Sequence, residues 1–254
     1  MKITIHTQKD IKKMILVGQL TAEVLKMIKH YIKPNVSTNY LNNICHNYIV
    51  KKQKAIPAAL GYNGFPKSVC ISVNDEVCHG IPSDLKILKE GDIINIDVSI
   101  IKNKYYGDSS KMFSVGKISK KSKKICKVAK KSLYKAIQIL KPGLNINYIG
   151  KTIQKYVEKK KFSIVREYCG HGIGKNFHMP PYILHYFDKK EKNLLLKKGM
   201  IFTIEPMINQ GKQYVYQEDD GWTIKTKDKS ISAQYEHTVL ITKKKYKILT
   251  SRKL

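Results

Sequence analysis

The chain has 254 residues, enough for one large domain or two small ones with an ample core. Its formal net charge of +29 and pI of about 9.8 suit a polyanionic partner such as a ribosome. The lysines are spread along the chain beside abundant Ile, Asn and Tyr, with no aromatic-interleaved nucleic-acid motif, so the charge is read first as composition. Cys45, Cys70, Cys78, Cys126 and Cys169 form no Cys-x-x-Cys pair, which argues against a disulfide framework and a thiolate zinc site. No signal core is visible and no apolar run reaches the ~18 residues of a membrane span, so a cytoplasmic location is expected.

Thr7 with Asp10 three residues on marks a helix start, and Ile11, Met14, Ile15, Gly18, Ala22 and Leu25 recur at helical spacing up to Lys33-Pro34. A second helix is predicted over 38–52. Pro57, Gly61, Gly64 and Pro66 make 55–68 a loop, and a strand is predicted over 69–73. The stretch 93–115 reads as a β-hairpin, apolar and β-branched at first, polar at Lys102, Asn103 and Lys104, then apolar and aromatic again. Asp97 and Asp108 interrupt it. If Lys102-Asn103 is the turn, Asp97 faces Asp108; if Asn103-Lys104 is the turn, Asp108 faces Ser99 and lies diagonal to Asp97. Both registers put the two carboxylates on one face, within about 4.5 to 8 Å of each other. Helices are then predicted over 119–140 and 147–161, followed by a β-rich remainder.

This order repeats. A shift of 108 residues aligns Lys33-Pro34, Asn39-Tyr40 and Tyr48 with Lys141-Pro142, Asn147-Tyr148 and Tyr156. The same shift aligns Leu88-Lys89, Gly91, Ile93 and Ile96-Asp97 with Leu196-Lys197, Gly199, Ile201 and Ile204-Glu205. One offset serving two separated segments indicates two halves of like architecture, each with two helices followed by antiparallel strands. Packed about a pseudo-twofold, such halves bring Asp97 and Glu205 toward a shared centre. The boundaries expected are about 1–115 and 116–254 within a single catalytic domain.

The acids Asp97, Asp108, Glu205 and Glu236, the last in a strand-like context, cost too much within a sheet unless something positive neutralises them. With His171 from the Gly-rich stretch 169–174 they make an oxygen-rich site for two divalent cations. Two such cations roughly 3.5–4 Å apart lower the pKa of water from about 15.7 toward 7. The chemistry expected is hydrolytic.

The residues resemble a known family, the short form of the type I methionine aminopeptidases. The matching stretches are Ser72-Val73-Asn74, Val77-Cys78-His79-Gly80-Ile81-Pro82, Asn95-Ile96-Asp97-Val98, Gly107-Asp108-Ser109-Ser110-Lys111-Met112-Phe113, Cys169-Gly170-His171-Gly172-Ile173-Gly174, Phe177-His178, Phe202-Thr203-Ile204-Glu205-Pro206-Met207, Asp220-Gly221-Trp222-Thr223 and Ser232-Ala233-Gln234-Tyr235-Glu236-His237-Thr238. The resemblance implies an α/β (α+β) pita-bread fold with two pseudo-symmetric halves, and metal ligation by Asp97, Asp108, His171, Glu205 and Glu236, with Asp108 and Glu236 bridging. It further implies that His79 and His178 contact substrate and that Glu205 serves as acid/base. The implied methionine pocket is Tyr62, Phe65, Cys70, Phe177 and Trp222. Ala59 stands where the family often has cysteine, and Phe65 where it often has tyrosine.

The cofactors expected are two divalent ions drawn from Co, Mn, Fe(II) or Zn. The partner expected is the N-terminal methionine of nascent chains, and a salt-sensitive ribosome association, no membrane and a monomeric state are expected as well. Two other readings are a proline-directed aminopeptidase, whose relatives carry an extra N-terminal domain, and a non-catalytic pita-bread protein that binds ribosomes or nucleic acid. Loss of metal ligands would mark the latter, and all five are present.

Overall fold

The computed structural model describes residues 3–190 and 194–251. Helix α1 (Gln8–Ile28) opens on a closed capping box: Thr7 accepts the Asp10 N–H at 3.3 Å, and the Asp10 carboxylate accepts the Thr7 N–H at 2.9 Å. Met14, Val17, Thr21, Leu25 and Ile28 form its buried stripe. A short 3-10 turn over Lys29–Tyr31 ends it ahead of Pro34. Helix α2 (Thr38–Asn47), where the Ser37 hydroxyl accepts the Tyr40 N–H at 3.0 Å, continues as a π turn over Tyr48–Lys52.

Strands β1 (Ile56–Pro57), β2 (Cys70–Val73) and β3 (Glu76–Cys78) lead into the long pair β4 (Ile93–Lys102) and β5 (Tyr105–Ser114). β4 pairs antiparallel with β5, β2 and β1. Asn103 and Lys104, at φ 52° and 66°, are the left-handed residues of a two-residue hairpin turn. Of the two registers open to the sequence, this turn selects the second. Ser99 lies opposite Asp108 and Asp97 opposite Ser110, so the two carboxylates are diagonal on one face.

The second half repeats the plan with helices α3 (Lys120–Gln138) and α4 (Asn147–Lys159). Strands β6 (Ser163–Ile164), β7 (Gly170–Gly172), β8 (Met179–Ile183), β9 (Ile201–Ile204) and β10 (Met207–Asn209) follow. The chain finishes with β11 (Val215–Gln217), β12 (Ile224–Thr226), β13 (Ser232–Gln234), β14 (His237–Ile241) and β15 (Tyr246–Ile248). One five-stranded sheet runs β15-β14-β9-β7-β8, and two smaller ones run β13-β10-β6 and β11-β12-β3. In the last of these, β3 of the first half pairs with β12 of the second.

The pseudo-symmetry is written in the backbone hydrogen bonds. Asn35 N–H donates to the Leu88 carbonyl and Gly143 N–H to the Leu196 carbonyl, both at 2.8 Å. The isolated bridges Ser37–Ile87 and Asn145–Leu195 obey the same 108-residue offset. So do Gly91 and Gly199, both left-handed at φ 95° and 89° in turns that only glycine enters without strain. Each half has its own apolar core: Leu25, Leu41, Ile71, Ile94 and Ile96 anchor the first, and Ile125, Leu133, Ile149, Phe202 and Val239 the second.

The halves are stitched along β5. Ser109 Oγ donates to the Glu236 carbonyl and Thr238 Oγ1 to the Asp108 carbonyl, both at 2.7 Å and buried. Glu236 N–H reaches the Ser110 carbonyl at 3.2 Å. Among the described residues no helix is long and apolar enough to cross a membrane.

Gly107, beside Asp108 on β5, lets α1 lie directly on the hairpin. A Cβ there would stand 2.6 Å from Thr21 Oγ1 and 2.9 Å from the Val17 carbonyl oxygen. Gly107→Ala is expected to cost roughly 1–3 kcal/mol, measured as a lower melting temperature. An unchanged melting temperature would mean that α1 does not seat this closely.

Candidate metal centre and substrate cavity

The fold delivers the five sequence-predicted ligands to the seam between the halves. Asp97 and Asp108 come from the hairpin, His171 from the middle of β7, and Glu205 from the first residue after β9. Glu236 differs from expectation in its setting. It falls in the break between β13 and β14 instead of within a strand, and there its N–H donates to the Ser110 carbonyl across the seam. Ligand atoms of Asp108, His171 and Glu236 lie within 4.8 Å of one another. His171 Nε2 is 3.6 Å from Asp108 Oδ2 and 3.6 Å from Glu205 Oε1, and Asp97 lies diagonal to Asp108 across the hairpin.

Electrostatics make this cluster unsatisfied as it stands. Burial, and then the neighbouring Asp108, push Asp97 and Glu205 well above the ordinary carboxylate range. Asp108 is raised by burial too, against a 2.9 Å hydrogen bond donated by Ser99 Oγ. His171 moves the other way: burial lowers it to about 4, so its contacts with Asp108 and Glu205 are not ion pairs. Its Nδ1 sits 3.1 Å from the Gly172 carbonyl, which can only accept. The proton therefore resides on Nδ1, leaving the Nε2 lone pair facing the carboxylates.

These residues fit divalent cations. Asp97 Oδ1 is buried with no hydrogen-bond partner, and four acids packed together need positive charge more than they need one another. The donors are carboxylate oxygens and one imidazole, a set for hard or borderline ions. Cys70 pairs with Asp97 across β2 and β4, but burial raises its thiol, and that of Cys78, far above the usual range, so neither offers a thiolate.

Asp97, Asp108, His171 and Glu205 form the floor of a cavity of about 340 Å³. Tyr62, Phe65, Cys70, Phe177 and Trp222, the five predicted pocket residues, all line it together with His79 and His178. Phe65 meets Trp222 edge-on at 5.2 Å, and Tyr62 meets Phe177 edge-on at 4.9 Å. His178 stacks on Phe177 at 4.2 Å and has its Nδ1 2.8 Å from the Tyr62 hydroxyl. His79 holds a left-handed φ of 56°, backbone strain of the kind that functional sites retain. Burial and the adjacent His178 lower it to about 4, which keeps it neutral.

Several contributors were missed in the sequence. Tyr168 packs edge-on against His79 at 5.5 Å. The fully buried His185 accepts the Glu205 N–H on Nε2 at 3.2 Å, and no pattern in 184–186 announces this. Thr203 donates to Glu205 Oε1 at 2.7 Å. Strand alternation carries a signal for that contact, because 203 and 205 share a face.

Comparison with known proteins agrees with this geometry. The model of metallopeptidase family M24 matches residues 12–243. A methionine aminopeptidase of Buchnera aphidicola from Acyrthosiphon pisum is 59% identical over 253 residues, covering 100% of this chain and 96% of its own. That of Escherichia coli K12 is 56% identical over 253 residues, with the same coverages of 100% and 96%. The crystal structure of methionine aminopeptidase from Rickettsia prowazekii superimposes with a TM-score of 0.95 at 50% identity, covering 98% of this chain and 100% of that one. The architecture is thus the pita-bread fold, and the family implies divalent metal ions. The chain belongs to metallopeptidase family M24 and groups there with the methionine aminopeptidases.

Proposed function

We propose that this chain removes the initiator methionine from nascent proteins and peptides whose second residue is small, acting as a monomeric, single-domain cytoplasmic enzyme of two pseudo-symmetric halves. The observation that carries the reading is one cavity in which Asp97, Asp108, Glu205 and a neutral His171, with Glu236 packed within 4.8 Å of Asp108 and His171, face an aromatic, cysteine-containing pocket. Asp97, Asp108, His171, Glu205 and Glu236 would hold two divalent cations. Co, Mn, Fe(II) and Zn all suit the donor set. When bound, such ions supply Lewis acidity that activates water and polarises a carbonyl.

The chain's own residues do the rest. Glu205, whose affinity for a proton is raised by burial and by Asp108, takes up and returns the proton of the attacking water. Thr203 and His185 keep it from turning away. His178, with Nδ1 engaged by Tyr62, keeps Nε2 for the scissile carbonyl, where it stabilises developing negative charge. His79 stays neutral and contacts the substrate backbone. Tyr62, Phe65, Cys70, Phe177 and Trp222 exclude water and receive an unbranched thioether, whose sulfur–ring contacts are worth about 0.3–1.5 kcal/mol. An internal peptide cannot enter this way, because the acids at the floor favour a free α-amine.

The proline-directed alternative finds no support in relatives that are methionine aminopeptidases over the full chain. One assay separates the readings. Met-Ala-Ser, Met-Gly and Met-Ser peptides are expected to release methionine, in a reaction lost with EDTA and restored by Mn²⁺ or Co²⁺. Met-Leu and Met-Lys peptides should be cut at least about tenfold more slowly, because a bulky second residue crowds His178. Equal cleavage of Met-Leu and Met-Ala, or preferential cleavage before proline, would contradict the pocket.

Lysine is divided unevenly between the matching helices. α3 carries eight lysines and no acid, whereas α1 has four lysines alongside Asp10 and Glu23. This supports a non-specific, salt-sensitive association of the α3 face with ribosomes, the source of nascent chains. Binding to purified ribosomes should weaken steeply between about 50 and 200 mM salt, and replacing Lys120, Lys123, Lys127 and Lys130 with glutamine should flatten that dependence. Binding that is indifferent to salt would leave the charge without this role.

A further inference from the structure

Thr203 stands between two of the proposed metal ligands and is itself neither. It is 0% exposed on β9. Its hydroxyl oxygen lies 3.0 Å from the His171 backbone nitrogen and 2.7 Å from Glu205 Oε1. A backbone N–H can only donate and a hydroxyl has one proton to give. The direction of both bonds therefore follows, from His171 N–H to Thr203 Oγ1 and from Thr203 O–H to Glu205 Oε1.

The local fold is built to allow this contact. β7 meets β9 with Gly172 opposite Phe202, which brings His171 level with Thr203. Gly170 makes the approach possible, since a Cβ there would lie 2.4 Å from the Thr203 carbonyl oxygen. Residues 203 and 205 project from the same face of the strand line. The backbone of Glu205 is pinned separately by His185, and of the two side chains that donate to its carboxylate Thr203 makes the shorter bond, 2.7 Å against 3.4 Å from Gln234 Nε2 to Oε2.

We propose that Thr203 is a positioning residue of the metal centre: its hydroxyl couples the His171 backbone to Glu205 Oε1 and so holds two ligands from adjacent strands in register for divalent cations. The proposal rests on the reading of His171 and Glu205 as ligands. Valine at this position keeps the volume but leaves a buried N–H without an acceptor and frees the carboxylate to turn. Serine keeps the hydroxyl and loses only a methyl group.

The test is calorimetric titration of metal-free wild type, Thr203→Val and Thr203→Ser with Mn²⁺, with thermal unfolding of each in EDTA. The valine variant should bind Mn²⁺ at least about tenfold more weakly, and the serine variant within about threefold of wild type. The serine variant should nevertheless melt lower in EDTA, having lost a buried methyl, so affinity and packing part company. Thr203→Ala, which differs from the serine variant by the hydroxyl alone, repeats the comparison if the valine variant does not fold. Unchanged affinity in the variants lacking the hydroxyl overturns the proposal, as does an equal loss in the serine variant, which assigns the effect to packing. Wild type that takes up no Mn²⁺ would overturn the metal-centre reading itself, so the two failures are distinguishable.

Discussion

Four acids packed together at the seam of two half-domains, Asp108 and Glu236 of them buried, are the constraint on which the rest of the molecule depends. Burial raises the proton affinity of Asp97, Asp108 and Glu205, and Asp108 raises Asp97 and Glu205 further. A fold accepts such a cluster only where rigid surroundings prevent it from dispersing. Here the rigidity comes from the tight hairpin of β4 and β5, from the buried hydrogen bonds that tie β5 to 236–238, and from Thr203 and His185 about Glu205. On the proposed reading, divalent cations would neutralise this cluster.

The pseudo-twofold explains how one chain places ligands so closely without a long excursion. Equivalent strands β4 and β9 approach the seam from opposite halves, and equivalent turns at Gly91 and Gly199 launch them. Asp97 and Glu205 are related by this operation. The halves have diverged elsewhere: the first contributes the hairpin acids and much of the aromatic wall, while the second contributes both His171 and His178. The cavity wall therefore spans the two halves, with Tyr62 of one bonded to His178 of the other.

Much of this was legible in the sequence, and for physical reasons. The capping box at Thr7 and Asp10, the apolar stripe of α1 and the hairpin are local patterns. The repeat survives as an offset common to residues that make the same backbone bonds in each half. The hairpin register was open because Lys102, Asn103 and Lys104 are all acceptable in a turn, and only the positive φ of Asn103 and Lys104 decides it. Glu236 was expected in a strand because its neighbours are strand-like, whereas its N–H pairs with Ser110, more than a hundred residues away. The pairing of β3 with β12 and the approach of His185 to Glu205 are likewise non-local, and no short pattern encodes them.

The central claim, that the buried acids are neutralised by cations, is tested most directly by unfolding free energy against pH with and without metal. Acids whose folded pKa is raised bind more protons in the native state than in the unfolded one, so they lose stability as pH rises through the folded value. Histidines lowered by burial oppose this only at lower pH, and above about pH 7 they are neutral in both states. In EDTA the acids should therefore draw stability down as pH rises from about 4, the unfolded carboxylate value, to their raised folded values, about 7 for Asp108, and saturating Mn²⁺ should make the slope of stability with pH more positive than in EDTA, because binding displaces the protons. The same slope in EDTA and in Mn²⁺ would contradict the account.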